Sequence, residues 1–160
     1  GNLLRRQLLF ACCLVLYVRM LFTAFHLLRR AISWEEAFSV PFAFLLYYVG
    51  LSLLGGTRQV AVDAVDVLAL LLFATGSCIN TGSELLRDRW TRSPGHEGRL
   101  YTGGLFRYSR HVNYFGDLVW VSGWALLTRN PWSALIPALL FLFFYFFSFF
   151  FLFFSFVFRF

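Results

Sequence analysis

Lysine is absent from this 160-residue chain, charged residues of every kind amount to 14%, and cysteine and methionine number three and one. Each shortage excludes something. A soluble domain carries roughly 25% charged and about 45–50% apolar residues, whereas here the apolar share is 59% and the mean hydropathy is +0.69. The expected setting is a bilayer, and the length suits one domain. Without lysine, the net charge of +6 rests on arginine alone. Arginine in membrane proteins marks cytosolic loops or pairs with phosphate and carboxylate. Apolar spans break up the basic residues, so no continuous basic face is left to lie on a duplex, and nucleic acid is not an expected partner. Cys12, Cys13 and Cys78 all fall in apolar runs. An odd number without framework spacing argues against disulfides and a zinc site, and all three read as small buried hydrophobes. No secretory signal is evident, and the first residue is Gly1, so the chain reads as a single integral membrane domain truncated at its N-terminus.

Five apolar segments predict an all-α polytopic transmembrane bundle of about 4–5 spanning helices, because a backbone in lipid must satisfy its own hydrogen bonds. They run over about 8–28, 37–54, 65–79, 118–128 and 132–158. A span needs about 20 residues; the first, second and fifth reach that length, and the third and fourth do so only by extending into their polar flanks. Gly55-Gly56 and Asn130-Pro131 mark turns. The fifth segment is unusual: thirteen of the twenty residues from Phe141 to Phe160 are phenylalanine. Side chains of one size partition into lipid but specify few partners, so the C-terminus is atypical.

Arg87, Arg89, Arg92, Arg99, Arg107 and Arg110 lie between the third and fourth segments, and Arg29 and Arg30 between the first and second. By the positive-inside rule both connections are cytosolic. The intervening connection holds Arg58 with Asp63 and Asp66 and is not basic. Arg5 and Arg6 fit this pattern less well.

Two stretches carry most of the hydrogen-bonding groups, "INTGSELLRDRW" and "LYTGGLFRYSRHVNYFGD". On a helix, Asn80, Glu84 and Arg87 share one face, where Glu84 and Arg87 make at least a surface pair of about 0.3–0.5 kcal/mol. If the next helix begins near Ser109, Asn113 and Asp117 share a face and Arg110 joins it. Ionisable groups at membrane depth are costly and face a cavity or one another. Arginine forks suit phosphate oxygens, helix N-termini add N–H donors, and Gly103, Gly104 and Gly116 permit close backbone approach. A pyrophosphate-bearing nucleotide fits this inventory better than a sugar or a metal, since His111 has no second histidine or cysteine nearby. The alternative is an interfacial helix cap held by an Asp117–Arg110 pair, with Tyr114 and Trp120 as belt aromatics.

"GLFRYSRHVNYFGDLVWVSGWALLT" and "GSCINTGSELLRDRW" resemble the carboxy-terminal domain of the steroid 5α-reductase superfamily, and "WEEAF" at Trp34, Glu35, Glu36, Ala37 and Phe38 resembles an uncharacterised branch of it. The resemblance covers about residues 15 to 140. The motif is also similar to that of sterol C14 and C7 reductases and, in the form RHP-x-Y-x-G, to that of isoprenylcysteine and phospholipid methyltransferases. It implies a membrane-embedded, NADPH-dependent reductase of a sterol, isoprenoid or other lipid double bond. Asn80, Glu84, Asn113, Tyr114 and Asp117 would line the cofactor pocket, with Arg87, Arg89, Arg107 and Arg110 near the phosphates. Tyr17, with Arg19 beside it, loosely matches the region that holds the substrate ketone. The implied membrane is the endoplasmic reticulum in a eukaryote or the inner membrane in a bacterium. Two alternatives stand beside this reading. One is an S-adenosylmethionine-dependent methyltransferase of the same superfamily, against which Val112 (where the methyltransferases carry proline), Asn113 and Asp117 count. The other is a non-enzymatic membrane fragment, which the missing first helices and the phenylalanine tail favour.

Overall fold

The computed structural model describes residues 2–28, 34–95, 99 and 101–157, with side chains omitted at 35, 36 and 147–157. Arg29 and Arg30 therefore lie outside the described residues. The described chain is helical, without strands: α1 (Leu3–Phe22), continued by a π-helical turn Thr23–Leu27; α2 (Trp34–Leu45), continued by a π-helical turn Leu46–Leu51 into the short α3 (Ser52–Gly56); α4 (Ala64–Thr91); α5 (Val112–Leu127); and α6 (Leu135–Val157). Three stretches, Leu3–Leu27, Ala37–Gly56 and Ala64–Thr91, are long and apolar enough to cross a membrane. The third reaches that length as its apolar run required, by carrying the helix through the polar flank to Thr91.

Helix starts follow from their caps. Asn2 caps α1 by accepting from the Arg5 N–H at 3.2 Å. Asp63 and Asp66 form a reciprocal capping box at the start of α4. Asn130 accepts from the Trp132 N–H at 3.2 Å and opens the 3₁₀ turn Pro131–Ala134 that leads into α6.

α4 and α5 form the tightest pair, because glycine removes the side chain wherever they cross. A Cβ on Gly76 would stand 2.3 Å from the Trp120 nitrogen, one on Gly116 2.6 Å from the Asn80 nitrogen, and one on Gly123 2.5 Å from the Phe73 nitrogen. Small residues are the usual means of close helix approach in membranes, where lipid supplies no hydrophobic drive between helices. Around this seam sits an aromatic core: Trp120 packs edge-on against Tyr47 (5.3 Å) and Phe73 (6.1 Å), and Trp124 against Tyr48 and Phe73 (6.0 Å each). Leu9, Cys12 and Leu16 of α1 close it from the other side. Of the cysteines, Cys12 is buried and Cys13 half-buried, but Cys78 is exposed, so the expectation of three buried thiols is corrected at that position: it lies on a flank of α4 that α5 does not cover.

The end carrying the start of α1, the start of α4 and the end of α5 is fastened by charge. Arg5, fully buried, donates through Nη1 to Asp66 Oδ1 (2.6 Å) and the Leu127 carbonyl (2.6 Å), and through Nη2 to Asp66 Oδ2 (3.1 Å) and the Ala61 carbonyl (3.1 Å). Arg129, in the left-handed region at φ 54°, adds Nε to Asp66 Oδ1 at 3.2 Å and also pairs with Asp63. Two arginines thus meet two aspartates. Arg5, the charge that fitted the loop pattern poorly, is a neutralised structural residue.

Candidate functional site

At the opposite end, the close α4–α5 seam brings the predicted polar residues together. Gly116 lets the start of α5 touch α4 at Asn80. Asn80 Nδ2 then donates to the Asn113 carbonyl at 3.2 Å, and Asn113 Nδ2 donates to Glu84 Oε1 at 3.0 Å. The other Glu84 oxygen accepts from Arg87, as the i, i+3 spacing predicts. Arg19 of α1 completes the series. Its Nη2 donates to Asn80 Oδ1 (2.8 Å), its Nη1 to Ser77 Oγ (2.9 Å) and its Nε to Thr81 Oγ1 (3.0 Å). A ladder of polar contacts therefore runs from Arg19, well inside the first span, to Arg87 near the end of α4.

Asp117 lies one turn after Asn113. Its Oδ1 accepts from Trp120 Nε1 at 2.8 Å, and the Trp120 ring carries the Arg19 guanidinium 5.3 Å from its centre. Trp120 so stands between a cation and a carboxylate. Tyr114 stacks with His111 (5.0 Å) and with Phe144 of α6 (4.3 Å), both rings nearly parallel to it.

The connection between α4 and α5 folds back on α4. Tyr101 stacks on Trp90 (5.4 Å) and meets Phe106 (5.5 Å), and Arg87 lies 5.9 Å from the centre of the Phe106 ring. Gly104, at φ +56°, makes the turn into the 3₁₀ segment Gly104–Arg107. This places Arg107 on the same end as Arg87 and Arg89. Arg89, Arg107 and Arg110 are exposed and make no hydrogen bond or ion pair to the described residues.

Two expectations change. Helix α5 begins at Val112 and not near Ser109, so Arg110 sits in the preceding turn and does not share the helical face of Asn113 and Asp117; the Ser109 hydroxyl caps the His111 N–H at 3.2 Å instead. The interfacial cap through Asp117 and Arg110 is accordingly absent among the described residues, and Asp117 bonds Trp120. Tyr17 is 56% exposed on α1 and makes no hydrogen bond to the ladder. Ser77 and Thr81 were not among the expected site residues, and Trp120, expected as a belt aromatic in the alternative reading, is instead buried against Arg19 and Asp117. Ser77, Asn80 and Thr81 form a polar stripe at i, i+3 and i+4 on an apolar helix, a signal that a partner for Arg19 was to be found there.

Such a ladder can present amide, carboxylate and guanidinium groups to a polar ligand, and the arginines beyond it, without partners among the described residues, can meet an anion. Among the described residues, no cluster of three or more histidine, cysteine or acidic residues has the arrangement to hold a metal ion.

The chain is 40% identical over 78 residues to 3-oxo-5-alpha-steroid 4-dehydrogenase 2 of Homo sapiens, covering 48% of this chain and 28% of that protein. It is 39% identical over 56 residues to the probable O-methyltransferase ustE of Ustilaginoidea virens, covering 35% of this chain and 20% of that protein. The matches thus span under a third of the length of either curated relative. No solved structure matches. A family described as "Protein of unknown function (DUF1295)" matches residues 24–155, and since that is most of the chain, the protein belongs to this family, within the steroid 5-alpha-reductase-like superfamily.

Proposed function

We propose that this chain forms the cofactor-binding part of a membrane-embedded reductase that uses NADPH to saturate a carbon–carbon double bond in a sterol, isoprenoid or other lipid. The observation that carries the reading is the continuous ladder Arg19–Asn80–Asn113–Glu84–Arg87, ending near three arginines that make no ion pair to the described residues. NADPH supplies a hydride and needs what these residues offer. Asn113 and Glu84 present amide and carboxylate groups of the kind that bind ribose and carboxamide, and Arg89, Arg107 and Arg110 present forked donors for its phosphates. Asp117, held by Trp120, stands on the next turn of the same helix. The name of the human relative supports lipid reduction over other chemistry. A cytosolic position for the arginine-bearing end follows from the positive-inside rule, with the endoplasmic reticulum or a bacterial inner membrane as the corresponding compartment.

The second reading, methyl transfer from S-adenosylmethionine, is favoured by the fungal relative. Val112 at the position of the methyltransferase proline, together with Asn113 and Asp117, weighs against it. The deciding experiment is titration of the detergent-purified protein with NADPH and S-adenosylmethionine in parallel, followed by tryptophan fluorescence. NADPH is expected to bind the parent protein and to lose its binding in Asn113→Ala and Asp117→Ala. Unchanged binding in both variants removes the site assignment; preference for S-adenosylmethionine removes the reductase.

A further inference from the structure

The two acids of the site are held differently. Both oxygens of Glu84 are engaged, one by Asn113 and the other by Arg87. Asp117 is held at one oxygen: Oδ1 accepts from the Trp120 indole N–H at 2.8 Å, and Oδ2 accepts no hydrogen bond from the described residues. A carboxylate fixed at one oxygen and open at the other is arranged to orient a ligand, provided that the group fixing it is itself locked. Trp120 is locked. It is 2% exposed, with Tyr47 edge-on at 5.3 Å and Phe73 edge-on at 6.1 Å, and its backbone nitrogen lies against Gly76. Its ring carries the Arg19 guanidinium 5.3 Å from the centre. Side chains from α1, the continuation of α2 and α4 thus meet at one indole of α5. No ion pair joins Arg19 to Asp117 among the described residues; the indole stands between them. A cation on the face of a ring draws electron density out of it, and the N–H at the edge becomes a stronger donor, as linked polar groups reinforce one another.

We propose that Trp120 is a positioning residue: its N–H holds the Asp117 carboxylate in one rotamer with Oδ2 open to the bound cofactor, and Arg19 on its face sets the strength of that hold. The inference rests on the cofactor-site reading of this end of α4 and α5 and adds the device that preorganises its acid. The pair is spaced i, i+3 on one helix, so it forms without help from any other element, and the acid is oriented before a ligand arrives. An ionised acceptor makes the bond stronger than a neutral one. A free carboxylate oxygen accepts, so Oδ2 takes a ligand N–H or O–H, such as an amide or a ribose hydroxyl. The indole does a second thing. By standing between Arg19 and Asp117 it prevents the two from closing into an ion pair, which would tie up the oxygen that the ligand needs. A freely turning Asp117 would lose rotamer freedom on binding and weaken the complex; Trp120 removes that cost in advance.

The test separates the N–H from the ring. Trp120 is replaced, in the protein held in nanodiscs, by benzothienylalanine, an isostere with sulfur in place of the N–H. NADPH affinity is read from nicotinamide emission in the parent and in an Asp117→Asn background. In the parent background the isostere is expected to weaken NADPH about ten-fold, the weight of a hydrogen bond to a charged group. In Asp117→Asn the same exchange is expected to cost less than about three-fold, because partners that act together are not additive. A purely structural ring predicts the same penalty in both backgrounds; equal penalties, or none in the parent, would overturn the proposal. The Trp120 indole N–H resonance, assigned by its loss in Trp120→Phe, reads the hold without any ligand. It is expected well downfield in the parent and moved upfield in both Asp117→Asn and Arg19→Gln. A free-indole position in the parent, or a resonance that Arg19→Gln leaves in place, would also overturn it. S-adenosylmethionine titrated into the same samples keeps the two ideas apart. If the parent binds it and not NADPH, with the same background-dependent penalty, the reductase falls and the role of Trp120 stands. NADPH binding with equal penalties does the reverse, and a parent that binds neither overturns both.

Discussion

Alanine at Gly76 should part the two helices that build the site. The added Cβ would stand 2.3 Å from the Trp120 nitrogen and 2.7 Å from the Gly116 carbonyl oxygen, where ordinary contact begins at 3.4 Å. Both obstacles are backbone, so no side chain can swing aside, and α5 must retreat by about 1 Å. The Asn80–Asn113 bond, 3.2 Å long, then stretches beyond hydrogen-bond range, and the Asn113–Glu84 bond is strained with it. Overpacking of this kind costs about 1–3 kcal/mol, and each lost interhelical bond about 0.6 kcal/mol. The sum, about 2–4 kcal/mol, corresponds to a fall of roughly 4–16 °C in melting temperature at about 2–4 °C per kcal/mol. Gly82 is the internal control: it lies on the same helix with nothing within 4 Å of its Cβ position, and Gly→Ala in a helix interior gains about 0.5–1 kcal/mol. Thermal unfolding in one detergent, read by tryptophan fluorescence, should therefore give opposite signs for Gly76→Ala and Gly82→Ala. NADPH binding should weaken only in the first. Equal melting temperatures would refute the claim that the glycine seam sets the helix spacing.

Asp66→Ala should cost more than Arg5→Met at the far end. The first leaves Arg5 buried without the carboxylate it pairs with, a loss of about 3–5 kcal/mol, whereas the second leaves Asp66 paired with Arg129; chemical denaturation midpoints would rank them. Tyr48→Phe should stabilise the protein by about 1 kcal/mol, because the Tyr48 hydroxyl is buried without a partner among the described residues and removing an unsatisfied group removes its desolvation cost; a lowered melting temperature would show that the hydroxyl is satisfied. Arg107→Gln and Arg110→Gln should each weaken NADPH binding and flatten its dependence on salt, measured by titration at two ionic strengths; an unchanged salt slope would remove them from the phosphate site.

The helices and their polar ends were legible in the sequence, because length and apolarity alone decide what can span and what must sit outside. The Asn80–Glu84 and Asn113–Asp117 spacings were legible for the same reason: a helix puts i and i+4 on one face whatever its neighbours do. What joins those faces was not. That Asn113 would reach Glu84 with its side chain and Asn80 with its carbonyl depends on the approach distance that Gly76 and Gly116 allow, and glycine in an apolar run does not announce which helix it will meet. The start of α5 falls at Val112 and not near Ser109, whose hydroxyl accepts from the His111 N–H, one residue before the helix proper. Arg5 could not be placed by loop-charge statistics, since its partner lies 61 residues away.

That separation bears on how the protein is made. A ribosome delivers Arg5 long before Asp66 exists, and Leu127, whose carbonyl Arg5 also bonds, emerges 122 residues after it. Until then the first helix has a bare cation at its end, one best kept in water or among lipid headgroups. Lateral docking of that helix should thus wait until the α4–α5 hairpin has entered the membrane, an expected order of hairpin first and α1 last. A nascent chain halted before Asp66 should show the first helix still accessible to a water-borne crosslinker near Arg5, and one released after Arg129 should not.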